Sequence, residues 1–178
     1  MFIIPGILIA ILTFPGVIIH ELAHRLFCRL ARVPVYEVCY FQFKNPCGYV
    51  IHEAVDGPWR NLLICVGPFL LNTIIGMVIL SPAAVEVIEF HNYTDPLALF
   101  LCWLGVSILM HAFPSSGDAK ALYTSVIKNR NVNLFAKALV LPVIGLIYAG
   151  AVGSIVWLDL LYAVGVGLLL PNLLIRLI

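Results

Sequence analysis

The chain has 178 residues, 62% hydrophobic and 11% charged, with a formal net charge of +1 and a mean hydropathy of +1.06. Soluble domains carry roughly 45–50% apolar and 25% charged residues, so this composition excludes an ordinary cytosolic enzyme, a disordered chain and a disulfide-stapled secreted module. It points to a bilayer, and the near-neutral charge shows no pull toward nucleic acid.

A membrane helix needs about 20 mostly apolar residues. The first predicted span runs from Phe2 to about Leu30, interrupted by Pro5-Gly6 and Pro15-Gly16. It has no basic residue before its apolar core and no clear small-x-small cleavage site, so it reads as a retained span rather than a signal peptide. Next, Val35 to Phe43 and Tyr49 to His52 are rich in β-branched and aromatic residues, and Asn45-Pro46-Cys47-Gly48 lies between them. That pattern predicts a β-hairpin near residues 35–52, either packed against a helical bundle as part of a site or serving as a structural flap. Further spans are expected from about Trp59 to Leu80 and from about Pro96 to Phe113. The apolar stretch from Leu134 is too long for one crossing and divides near Gly150–Ser154, giving helices at about 134–152 and 155–177. The expected fold is therefore an all-α polytopic membrane protein of about five transmembrane helices. Four or six result if Pro142 or the early prolines alter the breaks. Neither repeats nor linkers divide it, so residues 1–178 read as one domain.

Orientation follows from the basic residues. With Phe2 outside and five crossings, the inside segments (25–60, 114–137 and the C-terminus) contain all ten Lys and Arg, from Arg25 to Arg176. The outer loop near 81–95 has Glu86, Glu89 and Asp95 and no basic residue. The N-terminus is expected outside and the C-terminus in the cytosol. The five cysteines include no Cys-x-x-Cys pair, so they indicate neither a disulfide framework nor a thiolate zinc site; they read as small apolar fillers.

The chemistry lies in His20-Glu21-Leu22-Ala23-His24. Positions i and i+4 project from one helical face, so both imidazoles can bind one metal ion, and the glutamate beside them can take a proton from metal-activated water. Such groups next to Phe14-Pro15-Gly16-Val17-Ile18-Ile19 are costly at membrane depth and functional by default; the bland alternative is two interfacial histidines without a metal. Catalytic zinc usually takes three protein ligands. Asp118 fits as the third, because it follows the cytosolic end of the third span, where Pro114 and Gly117 can turn the chain back. It can equally be an N-cap or first-turn acid of the following helix. His111 is a rival ligand and His52 a weaker one, while His91 belongs to the opposite face.

These residues, with Gly67-Pro68-Phe69-Leu70-Leu71-Asn72 and the Pro114–Asp118 turn, resemble the site-2 protease family of intramembrane zinc metalloproteases over about residues 10–130. The resemblance implies a three-helix core, followed here by two further spans. It implies His20, His24 and Asp118 as ligands of one Zn2+ per chain and Glu21 as the catalytic base. The chain departs from the family pattern at His111 and Ala119, where Asn and Gly are usual. The Pro-to-Asp interval is one residue shorter, and Asn72 falls five rather than four residues after Gly67. The implied activity is hydrolysis of a peptide bond in a transmembrane protein or peptide substrate, extended against the hairpin edge. Asn72 or His111 would contact the substrate carbonyl or oxyanion, Asn72 alternatively serving helix packing. The implied setting is the cell membrane of a prokaryote, with the active site toward the cytosol. The other classes considered are a catalytically inactive scaffold or regulator of this fold, and a divalent-metal transporter. The latter is disfavoured because the ionisable groups gather at one face and no inverted repeat is present. No oligomeric state follows from the glycines of the last two spans.

Overall fold

The first apolar run does not form one rod. In the computed structural model, which describes residues 5–55 and 57–177 with side chains to Leu169, α1 (Gly6–Leu12) and α2 (Phe14–Leu30) meet at a 90° bend. Pro15 stands in the first turn of α2. It has no N–H to donate back into α1 and its fixed φ suits a helix start, so the chain restarts there instead of continuing. Phe2, the expected start of this span, and the side chain of Arg176 lie outside the described residues.

The hairpin follows. β1 (Val35–Cys39) pairs antiparallel with β2 (Tyr49–His52), with Val38 opposite Val50 and Cys39 opposite Tyr49. It rests on α2, where Arg25 donates to the Tyr40 hydroxyl. The chain then enters α3 (Pro58–Ala84), which a π-helical turn extends through Val85–Glu89. α4 (Pro96–Met110) starts at an Asp95 cap that accepts from Leu97 N. The short α5 (Ser116–Leu122) runs into a π-helical turn at Tyr123–Ile127. α6 (Leu134–Gly153) is capped by Asn133 and continues through Pro142 without a break. A 3-10 turn at Ser154–Val156 and a left-handed Trp157 lead into α7 (Leu158–Leu177).

α3 is the central post, touching α2, α4, α5, α6 and α7. Its approach to α4 depends on absent side chains: a Cβ on Gly105 would lie 2.7 Å from Leu80 Cβ, and one on Gly76 would lie 2.6 Å from Leu109 Cγ. Small residues allow this approach where no hydrophobic force draws helices together in lipid. Gly16 does the same for α2 and α4, since its Cβ would fall 2.0 Å from the Ser107 carbonyl oxygen. Buried clusters fill the seams. Leu80, Leu109, Met110 and Ala163 join α3, α4 and α7; Cys65, Leu122, Val140 and Ile144 join α3, α5 and α6. Outward-facing Ile74, Val78, Leu134 and Leu146 are exposed apolar side chains, as expected of surfaces that face hydrocarbon.

Two helices are long and apolar enough to cross a membrane, Pro58–Glu89 and Leu134–Val156, or three if the bent pair is one span. This is fewer than the five expected, for reasons of length. The 15 residues of α4 rise about 22 Å, short of a hydrocarbon layer of about 30 Å. α7 has 20 residues, and the 90° bend shortens the first crossing. The helical membrane-type bundle with its small antiparallel hairpin agrees with the expectation; the count is lower.

The glycine contacts give a direct test. Gly16→Ala is expected to lower thermal stability in detergent by about 1–3 kcal/mol, the range for forced overpacking. Gly145→Ala, in α6 with open space around it, should be neutral or stabilising by up to about 1 kcal/mol. Equal melting temperatures for the two variants would contradict the packing of α2 on α4.

Candidate metal centre

His20 and His24 lie one turn apart on α2 and both are buried, as is Glu21 between them. Their Nε2 atoms stand 3.2 Å apart. Asp118, in the first turn of α5, brings its Oδ1 to 3.5 Å from His24 Nε2. One ligand atom from each of the three lies within 4.8 Å of the other two.

Main-chain and capping contacts fix each of these side chains. His20 Nδ1 lies 2.7 Å from the His111 carbonyl oxygen. A carbonyl only accepts, so Nδ1 carries the hydrogen and Nε2 presents a lone pair toward His24 and Asp118. Asp118 is held by a capping box. Its Oδ2 accepts from Ser115 N and Ser115 Oγ, both at 2.7 Å, and its N–H donates to Ser115 Oγ at 3.2 Å. This leaves Oδ1 for the histidines. The two readings of Asp118, first-turn acid and ligand, are thus divided between its two oxygens. Burial alone would raise the Asp118 carboxyl, but its contact with His24, the charges on His24 and His20 and the Ser115 donors outweigh burial. They hold the group well below the usual carboxylate range.

The donor set fits a zinc-type ion. Ligand atoms about 2.0–2.1 Å from a tetrahedral centre stand about 3.3–3.4 Å from each other; the two separations from His24 Nε2, 3.2 and 3.5 Å, bracket that edge, and His20 and Asp118 lie within 4.8 Å of each other. Two imidazoles and one carboxylate, one ring already oriented by a carbonyl, are the chemistry of a three-ligand site with an open position.

Glu21 is 8% exposed and its carboxylate takes part in no hydrogen bond among the described residues. The hairpin turn lies directly on it: a Cβ on Gly48 would be 2.7 Å from Glu21 Cγ and 3.1 Å from its Oε1. A side chain there would occupy the space beside the carboxylate.

The structure does not bring His111 and Asn72 to the cluster as sequence reasoning expected. The His111 ring turns the other way, to Thr13 at the α1–α2 bend, with Nε2 2.8 Å from Thr13 Oγ1. Thr13 Oγ1 in turn donates to the Ile9 carbonyl at 2.6 Å, so the His111 ring donates to Thr13 and only its main-chain oxygen serves the site. Asn72 is fully buried, and its amide nitrogen faces the carbonyls of Gly16, Ile108 and His111 at 3.4, 3.3 and 3.1 Å. Its donors are spent on three backbone groups. Its remaining atom, Oδ1, is buried without a partner and, being an acceptor, has no hydrogen to offer an oxyanion. In this arrangement Asn72 is a clamp between helices. His52, bonded to its neighbour Glu53, and His91, stacked on Tyr93, stand apart from the cluster.

Sequence reasoning overlooked Ser115, although Ser115-x-x-Asp118 is a readable capping signature. It also overlooked Gly48 and Thr13, for which no local signal exists. Comparison with family models, with curated proteins and with solved structures returns no match for this chain, so function is argued from the site itself.

Metal content separates these roles. Asp118→Ala should abolish stoichiometric zinc binding, and Ser115→Ala should weaken it about 10–100-fold, the usual effect of removing a group that orients a ligand. His111→Ala keeps its carbonyl and should retain zinc. Loss of zinc in His111→Ala with an intact fold would show that its ring, not its backbone, serves the metal.

Proposed function

We propose that this chain is an intramembrane zinc metalloprotease of the site-2 protease type, an endopeptidase acting on membrane-embedded protein segments. The observation that carries the reading is the meeting of His20 and His24 with Asp118 from a distant helix, all within 4.8 Å, beside a Glu21 with no hydrogen bond among the described residues. His20, His24 and Asp118 would hold one Zn2+. When bound there, zinc supplies Lewis acidity, polarising a peptide carbonyl and making water acidic enough to lose a proton near neutral pH.

The remaining steps belong to the chain's own groups. Glu21 accepts the proton of the attacking water and returns it to the departing amine. Its freedom from hydrogen bonds leaves both carboxylate oxygens able to do so. The His111 carbonyl keeps the His20 ring from rotating, and Ser115 keeps Oδ1 of Asp118 turned toward the histidines. A peptide bond inside a helix is shielded by its own hydrogen bonds, so a substrate must be extended before attack. The two-stranded sheet leaves an outer edge to which an extended strand can add.

The setting follows from charge. With an N-terminus outside, five crossings and a cytosolic C-terminus, every Lys and Arg falls on the inner side. The short helix α4 then crosses as part of the bundle rather than as an isolated span, and the site takes its water from the cytosol. The distribution suits a prokaryotic cell membrane.

The test is cleavage of a transmembrane reporter in proteoliposomes. Glu21→Gln should keep about one zinc per chain while the cleavage rate falls about 100-fold or more. A Glu21→Gln chain that cuts at the wild-type rate would sink the assignment of the base. A wild type that binds zinc and cuts no membrane-embedded substrate would identify an inactive relative of the same fold.

A further inference from the structure

Away from the metal centre, the end of α2 and the start of α3 enclose an open cavity of about 350 Å3 lined by Leu30, Ala31, Arg32, Trp59, Arg60 and Leu63. Two features of it call for a ligand. Both arginines line one cavity, and neither guanidinium pairs with a carboxylate among the described residues. Around them stand exposed Leu30, Trp59 and Leu63. A cationic floor with an apolar wall matches a molecule that is anionic at one end and greasy at the other.

The backbone adds an independent sign. α2 ends with Arg32 N–H bonded to the Arg29 carbonyl at 3.1 Å and Val33 N–H to the Cys28 carbonyl at 2.8 Å. This is the bond pattern of a helix end that normally closes on glycine. Here the closing residue is Arg32, at φ 55. An L-residue in the left-handed region is unfavourable, and a strained residue kept at a cavity is a reason to look for function there. The strained position is filled by the side chain that delivers a positive charge to the cavity.

Location decides the ligand. α3 is one of the two helices long and apolar enough to cross a membrane, and Trp59 and Arg60 lie in its first turn. The cavity therefore sits at the level where acyl chains meet headgroups, on the side that holds the basic residues. Trp is favoured at that depth, and basic pockets between membrane helices on that side bind anionic headgroups. We propose that this cavity binds the phosphodiester headgroup of an anionic phospholipid. Arg32 and Arg60 hold the phosphate, each able to offer two parallel N–H donors, and Leu30, Trp59 and Leu63 lie along an acyl chain. The proposal rests on the membrane setting proposed above and not on zinc or on proteolysis.

The test uses the full chain in a neutral detergent, with lipid binding read by native mass spectrometry. Phosphatidylglycerol should bind in preference to phosphatidylcholine of the same acyl chains. Arg32→Gly is the informative variant, because glycine suits the backbone there: it should melt no lower than wild type yet need about tenfold more phosphatidylglycerol for half-saturation. Arg29→Gln, which removes an equal charge next to the cavity but not from its lining, should bind as wild type does. On wild type, a photoreactive phosphatidylglycerol should label peptides containing Leu30–Arg32 and Trp59–Leu63. Equal binding of the two lipids, undiminished binding by Arg32→Gly, or labelling elsewhere would overturn the proposal. So would equal occupancy by soluble glycerophosphoglycerol, the headgroup without acyl chains, which would identify a phosphate site rather than a lipid site.

Discussion

α4 stops at Met110, and the carbonyls of its last turn have no partner farther along the helix. Buried among packed helices, such groups must be satisfied by protein. Here Asn72 of α3 donates toward the Ile108 and His111 carbonyls, and His20 of α2 gives its Nδ1–H to the second lone pair of the His111 oxygen. One helix end thus sets the ring of a histidine in the candidate metal centre. The other contacts are consequences of that arrangement. α2 must lie close enough to α4 for His20 to reach, which is why a Cβ at Gly16 would strike the Ser107 carbonyl. The chain leaving His111 must turn at Pro114 to start α5, whose first turn carries Asp118. The need of buried backbone carbonyls for donors and the need of the proposed metal site for fixed ligands are met by the same atoms.

Reading from sequence reached the parts whose physics is local. The i, i+4 histidines and the glutamate between them, the hairpin alternation, the turn at Pro114 and the apolar runs all express short-range rules. The break before α7 was legible to within a few residues for the same reason. The number of helices long enough to cross alone was not, because span length was judged from apolarity alone, and apolarity says nothing of the 90° bend at Pro15 or of the early end of α4. The roles of His111 and Asn72 were also out of reach. Each is chemically suited to touch a substrate, and only the fold shows that the His111 ring is engaged with Thr13 and the Asn72 donors with three carbonyls. Ser115 is a different case: its capping signature is local and readable, but a cap becomes part of a metal site only when the residue it holds meets two histidines from another helix.

Gly48 marks where the hairpin and the bundle become one unit. The turn bearing it lies against Glu21, and Tyr40, just after β1, is tied to Arg25 one turn beyond that glutamate. Both contacts involve the same helix, so the hairpin cannot shift along α2 without uncovering the carboxylate. A residue with a side chain at position 48 would compete for the volume beside Glu21. This gives the glycine a reason that turn geometry alone does not, because its conformation is not left-handed.

Charge balance ties the site to its surroundings. Glu21 and Asp118 place two carboxyl groups in an apolar bundle, and His20 and His24 are the basic side chains beside them. Burying uncompensated carboxylates is costly, and removing one member of such a cluster leaves the others unpaired. A divalent cation held there would offset carboxylate charge while using the lone pair that the His111 carbonyl leaves on His20. The bundle around them contributes no other charge: Cys65, Ile64, Asn72 and Pro68 on the facing stretch of α3 are buried and uncharged. The buried carboxyl groups, the ring orientation and the close approach of His24 to both His20 and Asp118 are features that a divalent ion would account for together. A pair of interfacial histidines would need none of them.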